Sequence, residues 1–443
     1  MPAPPELGEV LARLDRFTNH EVVSSSGVTA GHIAGLSLEP MRNLCALLGD
    51  PQDTVATIHV TGTNGKGSVS SMISELIKAN GPNVGTYSSP HLHVINERIR
   101  RNGEPISDVE LAEVLDGVLA VAPLLDQPPT WFELVTAAAF RWFSEAGIDI
   151  AVVEVGLLGR WDATNVVRSE VAVITNIGAD HTDFSDGWRR KVAEEKAGII
   201  TPDRDVICGE LSAELIAVVE AEGAARTLVE GRDFEVTSNL VAQGGRMVTF
   251  TTPWGRHDDV IVEAHGEHQG SNFAIATCAA EAFFDRELDD DVVREAAVSV
   301  LLPGRIEVVA HHPLVVLDGA HNADAAQRLA ATLDEEFATI GTRYAVVGML
   351  EGRDPEVVLG PLAASGFDLI VCCRPDTPRG QDPAKLAAAA AALGLAHEVV
   401  ADPMVAVTRV IDRAQEEDVV LIAGSFYLVG PARQLLLGRN ARW

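Results

Sequence analysis

The sequence predicts two α/β domains. The larger is a P-loop-type, doubly wound, mainly parallel sheet with a small antiparallel sheet beside it, and a smaller Rossmann-like α/β domain follows. Three observations carry this prediction. The 443 residues exceed what one core usually holds. Short, nearly continuous apolar runs recur along the chain, as parallel strands buried on both faces require. Amphipathic stretches lie between several of them, the alternation that lays helices over a parallel sheet.

Taken in order, TVATIHVTG reads as the first buried strand and SVSSMISELIKAN as the helix that follows it. IDIAVVEVG and EVAVITNIG are further buried strands. Between residues 228 and 265 the texture changes, and FEVTSNLVAQGGRMVTFTTPWG alternates and turns as antiparallel strands do. VLLPGRIEVVAHHP restarts an α/β pattern, which puts the boundary near residue 300 and divides the chain into 1–299 and 300–443. PLVVLDGA, RYAVVGML, DLIVCCR and DVVLIAGS are the strands of the second domain, AAQRLAATLDEEF is one of its helices, and LAAAAAALG reads as another.

Composition narrows the function. Hydrophobic residues at 47% and charged residues at 22% suit a packed globular protein. A formal charge of −30 opposes general attraction to nucleic acid or to anionic membrane, so an anionic substrate needs local cations and a bound metal. The five cysteines are scattered, with no zinc or disulfide spacing. No apolar run reaches the ~18 residues of a membrane span, and MPAPPELGEV lacks the basic-then-apolar order of a secretion signal. A cytoplasmic monomer acting on small molecules is expected.

HVTGTNGKGSVS, residues 59 to 70, almost spells G-x-x-x-x-G-K-[ST]. Val60 stands where the first glycine is expected, and Gly67 replaces the hydroxyl residue that usually binds Mg²⁺. A strand runs into a turn holding Gly62, Gly65 and Gly67 and then into a helix, so backbone N–H groups can surround a phosphate with Lys66 at its β/γ end. A glycine-rich turn with a solvated lysine is the other reading. Ser89, held extended by Pro90, supplies the kind of hydroxyl the loop lacks. Glu154 ends a buried strand, where a carboxylate is costly unless it is paired or bound to metal.

TGTNGKGS resembles the nucleotide loop of the Mur ligase superfamily, and its trailing glycine resembles the folylpolyglutamate synthase/dihydrofolate synthase branch. LEPMRNLCALLGDPQ, YSSPHLHVINERIR, TWFELVTAAAF, VVEVGLLGRWDATNVV, TNIGADHT, EEKAGII, GEHQGSN, LPGRIEV, LDGAHN and AGSFYLVG follow the family order. The resemblance implies an ATP-dependent ligase that joins L-glutamate to a pteroate or folate carboxylate through an acyl phosphate. It implies ATP contacts from Thr63, Asn64, Gly65, Lys66, Gly67, Ser68, Asn272, Arg305 and Asp318, with His321 near the phosphates. Ser89, Glu154 and His181 would bind Mg²⁺, and a carbamylated Lys196 would hold a second ion. On the residues alone, Lys196 beside Glu194 and Glu195 reads as a solvated ion pair. Thr130, Trp131, Phe132, Glu133 and Trp161 would face the pterin. Leu158 stands where the family has glycine, and Pro40 where an arginine often stands. A ligase for UDP-linked substrates and a non-catalytic nucleotide-binding switch are the alternatives.

Overall fold

The computed structural model describes residues 5–19, 37–179, 182, 185–210 and 212–440. Eight strands of the described residues form the larger sheet: β1 (Ala56–Thr61), β2 (Val84–Tyr87), β3 (Ile99–Arg101), β4 (Glu104–Pro105), β5 (Ile150–Glu154), β6 (Val171–Ile174), β7 (Asp205–Cys208) and β8 (Thr227–Val229). Their order is β4-β3-β2-β5-β1-β6-β7-β8. All neighbours are parallel except along the β2-β3-β4 edge. The chain winds from β1 outward to β2, back to β5, then across β1 to β6. Connections therefore leave β1 in opposite directions, and a crevice opens beyond its C-terminal end.

β1 and β5 are buried along almost their whole length, as their unbroken apolar runs require. Val69, Met72, Ile73, Leu76 and Ile77 bury one side of the helix Lys66–Ala79, each such side chain removing apolar area worth about 1.5–3 kcal/mol. Helix Trp131–Glu145 begins in a capping box: Thr130 Oγ1 accepts from Glu133 N, and the Glu133 carboxylate accepts from Thr130 N.

The alternating segment is antiparallel, with β9 (Glu235–Ala242), β10 (Gly245–Thr251) and β11 (Arg256–Val262) in the order β11-β10-β9. A second sheet holds β12 (Glu307–His311), β13 (Leu314–Asp318), β14 (Arg343–Val347), β15 (Leu369–Cys372), β16 (His397–Val399) and β17 (Val419–Ala423). Its order is β12-β13-β17-β14-β15-β16, parallel apart from β12.

The chain forms two compact units. One comprises Met1–Leu240, Met247–Glu263 and Gly270–Val300; the other comprises Val241–Arg246, Ala264–Gln269 and Leu301–Trp443. Ionic contacts hold the two short segments in the second unit. Buried Arg246 donates through Nη1 to Glu335 Oε2 and to Glu336 Oε1, each at 2.9 Å. Glu336 also accepts from Gly266 N at 2.8 Å and meets His265 Nδ1 at 2.8 Å. Among the described residues no helix is long and apolar enough to cross a membrane.

Candidate active site

The glycine loop after β1 is fixed from the side by the segment that follows β6. Thr63 N donates to Asn176 O at 3.0 Å, and Asn64 N donates to Asn176 Oδ1 at 3.0 Å. Asn64 O accepts from Thr175 Oγ1 at 2.6 Å and from Asn176 Nδ2 at 2.8 Å. Thr63 Oγ1 donates to Gly178 O and accepts from Gly178 N. Two glycines are sterically required. Gly62 has φ 155° and would place a Cβ 1.8 Å from Thr175 Oγ1; Gly65 has φ 83° and would place one 2.9 Å from Asn272 Oδ1. The Asn272 amide therefore lies over the loop, although more than 200 residues separate the two in sequence. Gly67 and Ser68 are buried in the first turn of the helix, and Lys66 Nζ bridges back to Gly62 O at 3.0 Å and Thr63 O at 3.4 Å. The lysine is thus folded onto the loop, where a phosphate seated on the helix N-terminus would meet it.

Ser89 follows β2 and Glu154 ends β5, and Ser89 N donates to Glu154 Oε2 at 3.2 Å. Glu154 is buried opposite Val60, one residue short of the end of β1. Serine and carboxylate oxygens are hard donors suited to Mg²⁺ or a similar ion. His181 lies outside the described residues. Among the described residues no three His, Cys, Asp or Glu side chains cluster as a metal site.

Lys196 corrects one expectation. It is 3% exposed in the last turn of helix Trp188–Ala197, so it is not the solvated lysine that its neighbouring glutamates suggest. Arg190 takes Glu194 instead, at 3.0 Å. Glu195 O accepts from Arg160 N at 2.8 Å, and a Cβ on Gly159 would lie 2.7 Å from that oxygen and 3.1 Å from Lys196 Cα. The turn after β5 is thereby pressed against the lysine-bearing helix end.

That turn holds Leu158 at φ 57°, a left-handed conformation that glycine adopts freely and a leucine at a cost of about 1–2 kcal/mol. Burial of its side chain and a 2.6 Å hydrogen bond from Thr61 Oγ1 to Leu158 O hold it. Trp161, at the tip, is 40% exposed. Phe132 packs on Gly156, where a Cβ would come within 2.5 Å of its ring, and lies 6.1 Å from the Tyr87 ring. Trp131 is buried, with its Nε1 donating to Asp15 at 3.3 Å and the Arg98 guanidinium 4.9 Å over its ring. The Glu133 carboxylate is occupied as the helix cap, accepting from Thr130 N at 2.6 Å and Thr130 Oγ1 at 2.8 Å. Pro40 lies in the first turn of helix Glu39–Leu47.

In the second unit, Asp318 ends β13 in register with Ala423 at the end of β17. Its two oxygens accept from Ile306 N at 2.8 Å and Ala320 N at 2.7 Å, and burial pushes its pKa up to about 6 despite Arg305. The Arg305 guanidinium lies 5.3 Å over the Phe426 ring, and His321 Nδ1 contacts Gly319 O at 2.8 Å. Asp318, Arg305 and His321 thus gather at the C-terminal edge of the second sheet. A cavity of about 620 Å³ lies at the opposite edge, lined by His311, Phe337, Ile340 and Glu417, away from all of these groups.

Sequence reasoning missed Thr175 and Asn176, which lock the loop, and buried Arg98, whose Nε donates to His91 Nδ1 at 2.9 Å. The Asn-Ile-Gly after a buried strand was the available signal for the first two. Nothing local marked Arg98.

A glycine loop on a central strand, a lysine at its edge and an oxygen-donor pair at the adjacent strand ends define a nucleotide-binding α/β protein of two units. Residues 60–280 match the Mur ligase middle domain and residues 304–426 the Mur ligase glutamate ligase domain. The dihydrofolate synthase/folylpolyglutamate synthase of Mycobacterium tuberculosis is 36% identical over 91% of this chain and 90% of its own length. A structure of Mycobacterium tuberculosis folylpolyglutamate synthase complexed with ADP and AMPPCP superposes with a TM-score of 0.89 at 34% identity, over 97% of this chain and 98% of that one. A bifunctional folylpolyglutamate synthase/dihydrofolate synthase with Mn, AMPPNP and L-glutamate bound gives 0.84 at 29% identity, over 98% of each chain. The chain belongs to the folylpolyglutamate synthase/dihydrofolate synthase family of the Mur ligase superfamily.

Proposed function

We propose that the protein joins L-glutamate to the carboxylate of a pteroate or reduced folate at the expense of ATP. The observation that carries this is the loop at residues 62–68, locked by Thr175 and Asn176, with Lys66 at its edge and Ser89 and Glu154 at the neighbouring strand ends. Family membership supports the acceptor and the amino acid.

The acceptor carboxylate is a poor acyl donor until its oxygen attacks the γ-phosphorus of ATP, the bond to ADP breaks, and an acyl phosphate forms. The glutamate amine then attacks the acyl carbon, the C–O bond to phosphate breaks, and the amine proton is lost as the amide forms. Positioning and electrostatics account for most of such a rate. Lys66 and the loop N–H groups neutralise the transferring phosphoryl group, while Asn272, Arg305 and Asp318 hold the nucleotide and His321 acts near its phosphates. Ser89, Glu154 and His181 would hold a divalent ion, which would supply Lewis-acid charge to the phosphates. Lys196, buried beside the acceptor turn, is the residue we assign to carbamylation and to a second ion. Phe132 and Trp161 offer flat faces to the pterin, with Thr130, Trp131 and Glu133 shaping the helix start beneath them. The five buried free cysteines suit a reducing compartment, and we place the protein in the cytoplasm.

The test is phosphate release from ATP with L-glutamate and each acceptor in turn. Release with dihydropteroate or a reduced folate, and none with UDP-muramoyl compounds, is expected. The reverse preference would overturn the assignment.

A further inference from the structure

We infer that His59 and Thr164 are positioning residues that set the acceptor turn against the strand feeding the phosphate loop. The inference rests on the assignment of turn 156–162 to the acceptor.

His59 lies within β1, three residues before Gly62, and is fully buried. Its Nε2 is 2.9 Å from Thr164 Oγ1. The Thr164 hydroxyl donates to Asp162 Oδ1 at 2.5 Å, so it accepts from His59, which fixes the tautomer with the proton on Nε2. Asp162 then closes the turn, accepting from Thr164 N at 3.0 Å and from Leu157 N at 2.8 Å. A second bond from the same strand, Thr61 Oγ1 to Leu158 O at 2.6 Å, lands on the one residue of the turn that is in the left-handed region. The far side of the turn is bonded to the end of the Lys196 helix through Arg160 N and Glu195 O, and Asn165 Nδ2 ties Arg160 O to Gly198 O. The turn therefore spans from β1 to the lysine helix with Trp161 exposed between them.

His59 Nδ1 is buried and accepts no hydrogen bond. An apolar residue of similar size would fill the same space without burying an unmet polar atom, so packing alone does not call for histidine here. The Nε2–H bond to Thr164 is what histidine adds. Through it, the distance between the phosphate loop and the acceptor turn is set by hydrogen bonds rather than by apolar contact, which is non-directional. Correct placement of the two reacting groups is the main source of rate in this chemistry, so a turn that drifts costs turnover without costing nucleotide affinity.

The test uses the full chain and four variants: Thr164→Val, Thr164→Ser, His59→Leu and His59→Gln. Thr164→Val and His59→Leu should lower kcat/KM for the folate acceptor roughly tenfold, the size of one buried hydrogen bond, with the KM for ATP within about twofold of wild type. Thr164→Ser and His59→Gln keep the hydroxyl and an amide donor at the Nε2 position, and should recover most of the loss. Amide hydrogen exchange supplies a reading independent of substrate: residues 157–164 should exchange faster in Thr164→Val than in Thr164→Ser, with the loop at 62–68 unchanged. Equal exchange in those two variants, or equal loss in His59→Leu and His59→Gln, would overturn the inference. A wild-type protein silent with every folate would instead overturn the acceptor assignment, and the exchange comparison would still decide the role of Thr164.

Discussion

Gly62→Ala tests the loop geometry on which the nucleotide assignment depends. Gly62 has φ 155°, a region that side chains rarely enter, and its new Cβ would sit 1.8 Å from Thr175 Oγ1. Thr175 cannot yield freely, because that hydroxyl donates to Asn64 O at 2.6 Å inside the loop. Backbone strain of ~1–3 kcal/mol together with ~1 kcal/mol for the displaced hydrogen bond gives a cost of about 2–4 kcal/mol. Gly81→Ala is the control: φ there is 113°, but no atom lies within 4 Å of the added Cβ. That variant carries backbone strain without the clash. Urea midpoints with unchanged slopes would report stability, and titration with a fluorescent ATP analogue would report the loop. Gly62→Ala should be the less stable of the two and should lose nucleotide affinity at least tenfold, while Gly81→Ala binds as wild type does. Wild-type affinity in Gly62→Ala would refute the claim that this backbone cradles phosphate.

Lys66→Ala should abolish glutamate-dependent phosphate release and leave the unfolding midpoint nearly unchanged, because among the described residues the Lys66 ammonium bonds only to loop carbonyls; release at the wild-type rate would remove the lysine from the mechanism. Ser89→Ala should reduce metal-dependent turnover by about 10²-fold, the scale of one lost preorganised electrostatic contact. Ser68→Ala and Ser88→Ala should do far less, and equal losses in all three would leave the missing loop hydroxyl unexplained. Burial lowers the pKa of His59 to about 3, against about 6.5 in the unfolded chain. Between those values the unfolded chain binds a proton that the folded protein excludes, so this group's contribution to stability is complete above about pH 6.5 and is lost as the pH falls toward 3. His59→Leu removes that dependence, so its stability relative to wild type should rise on acidification, as read from denaturant midpoints at pH 7 and pH 4.5.

The parts of the site legible in the sequence were those with a local cause. Apolar runs buried on both faces gave β1, β5, β6 and β13, and the glycines at 62 and 65 announced a turn whose dihedrals side chains avoid. Long-range causes were not legible. Lys196 reads as a surface partner of its neighbouring glutamates, yet the turn at Gly159 and Arg160 covers the helix end. Glu133 is the exception with a local cause: Thr130 three residues earlier engages its carboxylate as a helix cap, a pattern the sequence carried but the pterin assignment passed over. Arg246 sits in a glycine-rich hairpin tip, where an exposed charge is the natural expectation, and it is buried because Glu335 and Glu336 arrive about 90 residues later. Leu158 itself gives no sign of a left-handed backbone, and the family's glycine at that position is the one hint; the bond from Thr61 and the packing around the leucine hold that conformation. His59 was hidden inside an apolar run, and its partner Thr164 lies more than 100 residues away.

The most direct test of the ligase account follows the acceptor's own oxygen. With the carboxylate of dihydropteroate or a reduced folate labelled with heavy oxygen, an acyl phosphate hands one labelled oxygen to inorganic phosphate when glutamate displaces it. Mass spectrometry should find one label per phosphate released, one label retained in the new amide, and an acceptor heavier by one glutamyl residue. Unlabelled phosphate beside a glutamylated product would contradict the phosphoryl-transfer route, and labelled folate returned unchanged with ATP intact would contradict the activity itself.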